Sequence, residues 1–150
     1  MAKQPAFSAF LTTTDLNETG DGTNFPCIMD SEEFDQGGDH VLATGIFTAP
    51  IAGRYRFTFA VALAGVTDHT DGRLQIVTDG QRYRMSFVPV DVENQSTART
   101  CATMTVFADM ADGDTATFLC QVGGGGASKV VDIGGDSADA GSHFSGELVA

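Results

Sequence analysis

Aspartates gathered in two stretches, Asp68-His69-Thr70-Asp71 and Asp132 to Asp139, come nearest in type and spacing to a chemical site. Carboxylate oxygens suit Ca²⁺, which makes Asp68, Asp71, Asp136 and Asp139 candidate calcium ligands. Their spacing is not that of an EF-hand, and a solvated acidic loop explains the same residues. His40, His69 and His143 are widely separated, and none lies in a zinc-type spacing such as HExxH. The run Gly123-Gly124-Gly125-Gly126-Ala127-Ser128-Lys129 looks like a phosphate loop in composition only. No Ser or Thr follows the lysine, and no helical pattern places an N-terminus toward a phosphate, so a mobile loop is the simpler reading. There is no GxSxG nucleophile elbow and no Cys/His signature. The sequence therefore names no catalytic residue, argues against an enzyme, and implies no cofactor beyond calcium.

Cys27, Cys101 and Cys120 are odd in number and share no CxxC spacing. That argues against a disulfide framework and for a reducing site of synthesis, with the thiols serving as small core hydrophobes. The sequons Asn17-Glu18-Thr19 and Asn94-Gln95-Ser96 read as chance occurrences.

Eight Lys and Arg stand against 20 Asp and Glu, a formal net charge of −12. Such a surface repels phosphate backbones and anionic lipid, so neither nucleic acid nor membrane is an expected partner. No apolar run approaches the ~18 residues needed to span a bilayer. Arg54, Arg56, Arg82 and Arg84 make up half of the cations, and each pair alternates with aromatic residues. All four should point off the core face and pair with Asp or Glu, within or between subunits.

The elements that must carry these groups are strands. From Tyr55 the odd positions read Tyr55, Phe57, Phe59, Val61 and Leu63, and the even ones Arg54, Arg56, Thr58, Ala60 and Ala62. A period of two gives one apolar and one polar or small face. Pro50 and Gly53 bracket a turn before it, in which proline fixes one φ and glycine tolerates a positive one. Phe7 to Leu11, Phe25 to Met29 and Ile46 to Ala49 read as shorter strands. Leu74 to Thr78 and Arg82 to Phe87 flank Asp79-Gly80, a type I′ hairpin signal. Thr13 to Asn24 and Ser31 to His40 read as polar loops, the second pinned to the core by Phe34. Ala102 to Ala108 and Thr115 to Val122 carry adjacent apolar residues, Val106-Phe107 and Phe118-Leu119. A strand apolar on both sides is covered on both sides, so another subunit should supply the second layer. Lys129 to Ile133 and Phe144 to Val149 complete about ten strands, with no convincing helical period. At 150 residues the chain suits one core, in a domain spanning 6–150 after an N-terminal arm over 1–5.

The run TGIFTAPIAGRYRFTF, Thr44 to Phe59, resembles the signature of the C1q-like domain of the complement and tumour necrosis factor superfamily. Ala6-Phe7-Ser8-Ala9, Gly113-Asp114 and His143-Phe144-Ser145-Gly146-Glu147-Leu148 are similar to further family features and follow in the right order. The resemblance implies an antiparallel jelly-roll β-sandwich that associates as a homotrimer, and, from some such trimers, calcium at the apex. Residues expected in the core or the trimer interface are Phe10, Tyr55, Phe57, Phe59, Phe107, Leu119 and Phe144. Family members of animal origin typically carry a secretion signal and a collagen stalk, whereas this sequence starts at Met1 and enters the family strand at Ala6. That suits a virion accessory protein of phage or virus, made in the host cytoplasm. It would be a capsid decoration protein or fibre head docking on a capsid or tail protein through Met1, Ala2, Lys3, Gln4 and Pro5. The alternative is a secreted or surface recognition module acting outside the cell.

Overall fold

In a computed structural model of the chain, which describes residues 4–92 and 99–150, two antiparallel sheets face each other across an aromatic core. The first sheet runs in the order β2 (Thr13–Thr19), β12 (Val131–Asp136), β7 (Gly53–Ala64), β13 (His143–Leu148), β1 (Ala6–Phe10) and β4 (Ser31–Asp35). β10 (Arg99–Met110) pairs with the full length of β7, from Arg99↔Ala64 to Met110↔Gly53. The other edge of β7 is therefore shared, β13 taking Tyr55 to Ala60 and β12 taking Leu63 and Ala64. The second sheet runs β5 (His40–Val41), β6 (Ile46–Thr48), β11 (Thr115–Gly123), β8 (Asp71–Thr78) and β9 (Arg82–Phe87), with β3 (Asn24–Pro26) also on β11. A short helix, α1 (Pro89–Val92), follows β9.

The period of two in β7 is realised. Tyr55, Phe57, Phe59, Val61 and Leu63 are all buried, and Phe118, Cys120 and Val122 of β11 meet them from the opposite sheet. Rings pack in both preferred geometries: Phe118 lies flat on Phe144 at 4.1 Å, and Phe57 meets Phe118 edge-on at 6.0 Å. The buried Tyr55 keeps its hydroxyl satisfied by donating to the Ile51 carbonyl at 2.8 Å. Gly146 pairs with Phe57 where no side chain fits: a Cβ there would lie 2.6 Å from the Phe7 ring and 2.7 Å from that of Phe57.

The structure differs from the sequence expectations at several places. Gly53 does not take a positive φ; it is needed for close approach, since a Cβ would sit 2.7 Å from the Ala150 carbonyl. The Asp79-Gly80 hairpin forms without positive φ at either residue. There the Thr78 hydroxyl accepts the Gln81 N–H at 3.1 Å, and Thr78 N–H donates to the Gln81 carbonyl at 2.8 Å. The polar stretch Thr13 to Asn24 contains β2, which pairs with β12, and Ser31 to His40 contains β4 and the start of β5. Both are polar on their wet sides, so they lack the apolar alternation by which strands are read. Phe34 does not pin its segment to the core. It lies opposite Ser8 on the outward side of the first sheet and is 44% exposed. His40 does the pinning instead: it stacks on Phe7 at 4.7 Å and bonds Glu32 through Nδ1 at 2.7 Å. The strands beyond the expected ten are β2, β4 and the two-residue β5, which fall in or at the end of the stretches read as loops, whereas β3 and β6 were expected.

Candidate interaction faces

Each sheet of a sandwich buries one side and offers the other. On the first sheet, registration of β7 with β10 and β13 fixes what is offered. Arg54 Nε donates to Asp109 at 3.1 Å, and Arg56 pairs with Glu147. The hydroxyls of Thr58 and Thr105 meet at 3.0 Å, and Ala60 and Ala62 lie opposite Thr103 and Cys101. Ser8 and Ser145 extend this small, uncharged centre onto β1 and β13. Phe107 stands beside Arg56 on β10, 57% exposed, and Phe34 flanks the other side of the centre. Between them lies a depression of about 160 Å³ lined in part by Phe34, Arg56, Thr58 and Glu147. β10 has no second strand partner among the described residues.

The second sheet offers a different surface. Arg73, Gln75 and Val77 of β8 register with Ser86, Arg84 and Arg82 of β9, and with Gln121, Leu119 and Thr117 of β11. Asn24 of β3 lies beside Gln121. Gln75 is 2% exposed; its Nε2 donates to Asn24 Oδ1 at 2.9 Å, while its Oε1 finds no donor.

The residues expected at the core or interface separate into three groups. Tyr55, Phe57, Phe59 and Phe144 belong to the core of one chain. Phe107 and the half-buried Phe10 lie on the outward side of the first sheet, since Phe10 registers with His143 and, through it, with Ala60. Leu119 is half-buried on the outward side of the second sheet, beside Gln75 and Pro26, so it shares no surface with Phe107.

The four aspartates proposed as calcium ligands do not come together. Asp68 and Asp71 lie in the β7–β8 connection and at the start of β8, against Gly124 and Gly125. Asp136 lies at the far end of β12, paired with Thr13, and Asp139 follows it. Asp136 closes its own loop, and the N–H groups of Ala138 and Asp139 on its Oδ1 hold the carboxyl below its ordinary range. No group of three or more His, Cys, Asp or Glu suited to a metal ion occurs among the described residues. His40 and His69 are buried, with Nε2 and Nδ1 respectively lacking a partner, and His143 Nδ1 lies 2.9 Å from the Ala140 carbonyl.

Of the arm, Met1, Ala2 and Lys3 lie outside the described residues, as does the sequon Asn94-Gln95-Ser96. Gln4 and Pro5 are engaged with their own chain: the Gln4 side chain donates to the Leu148 carbonyl, and Leu148 N–H donates to the Pro5 carbonyl at 3.0 Å. Cys27 and Cys120 are core thiols, as expected; burial pushes Cys120 up to about 12 and Cys27 well above the usual thiol range. Cys101 departs from that expectation. It is exposed, because it sits on the outward side of β10 opposite Ala62. Sequence reasoning missed the hydroxyl-rich centre and the buried Gln75, although strand alternation does place Thr58 and Gln75 off the apolar side.

Residues 6–149 match the family model of the C1q domain. Among solved structures, the globular domain of zebrafish complement 1qA protein superposes with a TM-score of 0.68 at 20% identity, covering 99% of this chain and 98% of that one. Murine APRIL superposes with a TM-score of 0.59 at 13% identity, covering 98% and 100%. These likenesses show the fold. A comparison with curated proteins finds no match. The expectation of a phage or virus component draws no support from the family match or from these animal relatives.

Proposed function

Since the chain belongs to the C1q domain family, whose domains are non-enzymatic recognition modules, we propose that it works as a homotrimer that binds another macromolecule, with the outward side of the first sheet turned toward copies of itself. The observation that carries this is the exposed Phe107 on β10, which among the described residues has no strand partner on its other edge, beside a centre whose charges are already paired within the chain. An open edge strand with an exposed aromatic invites a partner, and a centre of small hydroxyl residues permits close approach without leaving a charge buried. A closed threefold ring satisfies three such edges at once.

Sedimentation and native mass spectrometry test this. The wild-type chain is expected to stay trimeric at low micromolar concentration, and Phe107→Glu to yield a folded monomer, because the side chain lies outside the core. A wild-type protein that is mainly monomeric sinks the reading. The narrower proposal is that the trimer docks on a capsid or tail protein after assembly in a host cytoplasm, which the core thiols Cys27 and Cys120, protonated and unpaired, support. Stoichiometric presence in purified particles is the expected result; its absence favours the secreted or surface module.

A further inference from the structure

The outward side of the second sheet gathers positive charge in a strongly acidic chain. Three of the chain's eight cations, Arg73, Arg82 and Arg84, lie on it, in a chain of net charge −12. Arg73 pairs with Asp71 at 3.1 Å. Arg82 and Arg84 are exposed and have no carboxylate within ion-pair distance among the described residues, although 20 acids are available. Arg54 and Arg56 by contrast are both paired within the chain.

Around the arginines stand the neutral hydrogen-bonding groups Asn24, Gln75, Ser86, Thr117 and Gln121, with Val77 and Leu119 the apolar residues among them. We propose that this side is the binding surface of the recognition module for an acidic polysaccharide, a chain bearing sulfate or carboxylate groups among hydroxyls. Guanidinium groups take such anions in bidentate fashion, and alternate residues of a strand place Arg82 and Arg84 about 7 Å apart, so one extended polymer reaches both. Amide and hydroxyl side chains suit the sugar hydroxyls between the charges. The unsatisfied Gln75 Oε1, directly opposite Arg84, marks a polar network short of a donor. An open sheet side with no deep pocket holds each segment weakly, and repetition in a trimer multiplies the contact. The net negative charge confines binding to this one patch.

The inference rests on the recognition reading above, and its test reports separately on each. Wild type, Arg82→Ala/Arg84→Ala and Lys129→Ala, the last in the exposed loop after β11, are passed over immobilised heparin, polyuronate and duplex DNA, with the oligomeric state of each sample measured in parallel. Retention of wild type on heparin or polyuronate, weakened by salt, is expected, together with a loss of about tenfold or more in the double variant and none in Lys129→Ala. The polymer retained tells sulfate from carboxylate recognition. Failure of wild type to bind either polysaccharide, equal binding by the double variant, or equal retention on DNA overturns the proposal. Binding without trimers would instead overturn the self-association reading alone.

Discussion

Asp15 shows how one carboxylate can oppose the fold that holds it. Burial raises its pKa first, with Glu18 and Asp30 adding like charge, so the ionised form is disfavoured in the folded chain. An acid with a raised folded pKa favours folding only where it can hold its proton, and that benefit is lost as pH rises through the folded value. Asp15→Asn is therefore expected to stabilise the protein at pH 7, by no more than about 0.5 kcal/mol at this half-exposed position. The gain should fade as pH drops toward 4. Thermal unfolding of both forms between pH 4 and 7 checks this, and a gain that grows on acidification contradicts it. Individual side chains were legible where period and burial agree, as at Tyr55, Phe57 and Phe59, and illegible where partners from distant strands decide. Gly146 is one such case: nothing local says that the rings of Phe7 and Phe57 occupy its side-chain space.

Among the elements, β2 does more than its polar sequence suggests. Thr19, at its end, is fully buried; its hydroxyl donates to the Thr23 carbonyl at 2.7 Å and accepts the Val122 N–H at 3.0 Å. One hydroxyl thus ties a strand of the first sheet to β11 of the second. Thr19→Val keeps the volume and strands the Val122 N–H, which should cost about 1–3 kcal/mol in denaturant unfolding. An unchanged midpoint would mean that water replaces the hydroxyl. The long strands β7, β10 and β11 were legible because their inward residues are apolar, save Thr100 at the start of β10. β2 and β4 were not, because their strand character comes from pairing with β12 and β1 and not from their own pattern. The four aspartates expected to act together part for the same reason: Asp68 and Asp136 share a composition, not a place.

At the scale of the whole molecule the two outward surfaces differ in kind, hydroxyl and aromatic on one sheet, arginine and amide on the other. The family run from Thr44 to Phe59 made the sandwich legible, but which surface does what depends on registers such as Arg82↔Val77 and Phe107↔Arg56. The way the two ends of the chain leave the sandwich also has a mechanical side. β1 and β13 are antiparallel neighbours, and Pro5 and Leu148 meet at the same pole. A load hung between these two ends peels the pair apart from Ala6↔Glu147 toward Phe10↔His143, one rung after another. The same load applied between Pro5 and Gly141 pulls along the strands and strains every rung together. Force spectroscopy should find the first geometry yielding at the lower force. A chain tethered by both ends would therefore act as a mechanical fuse, its first sheet opening at β1 before the rest of the sandwich bears tension.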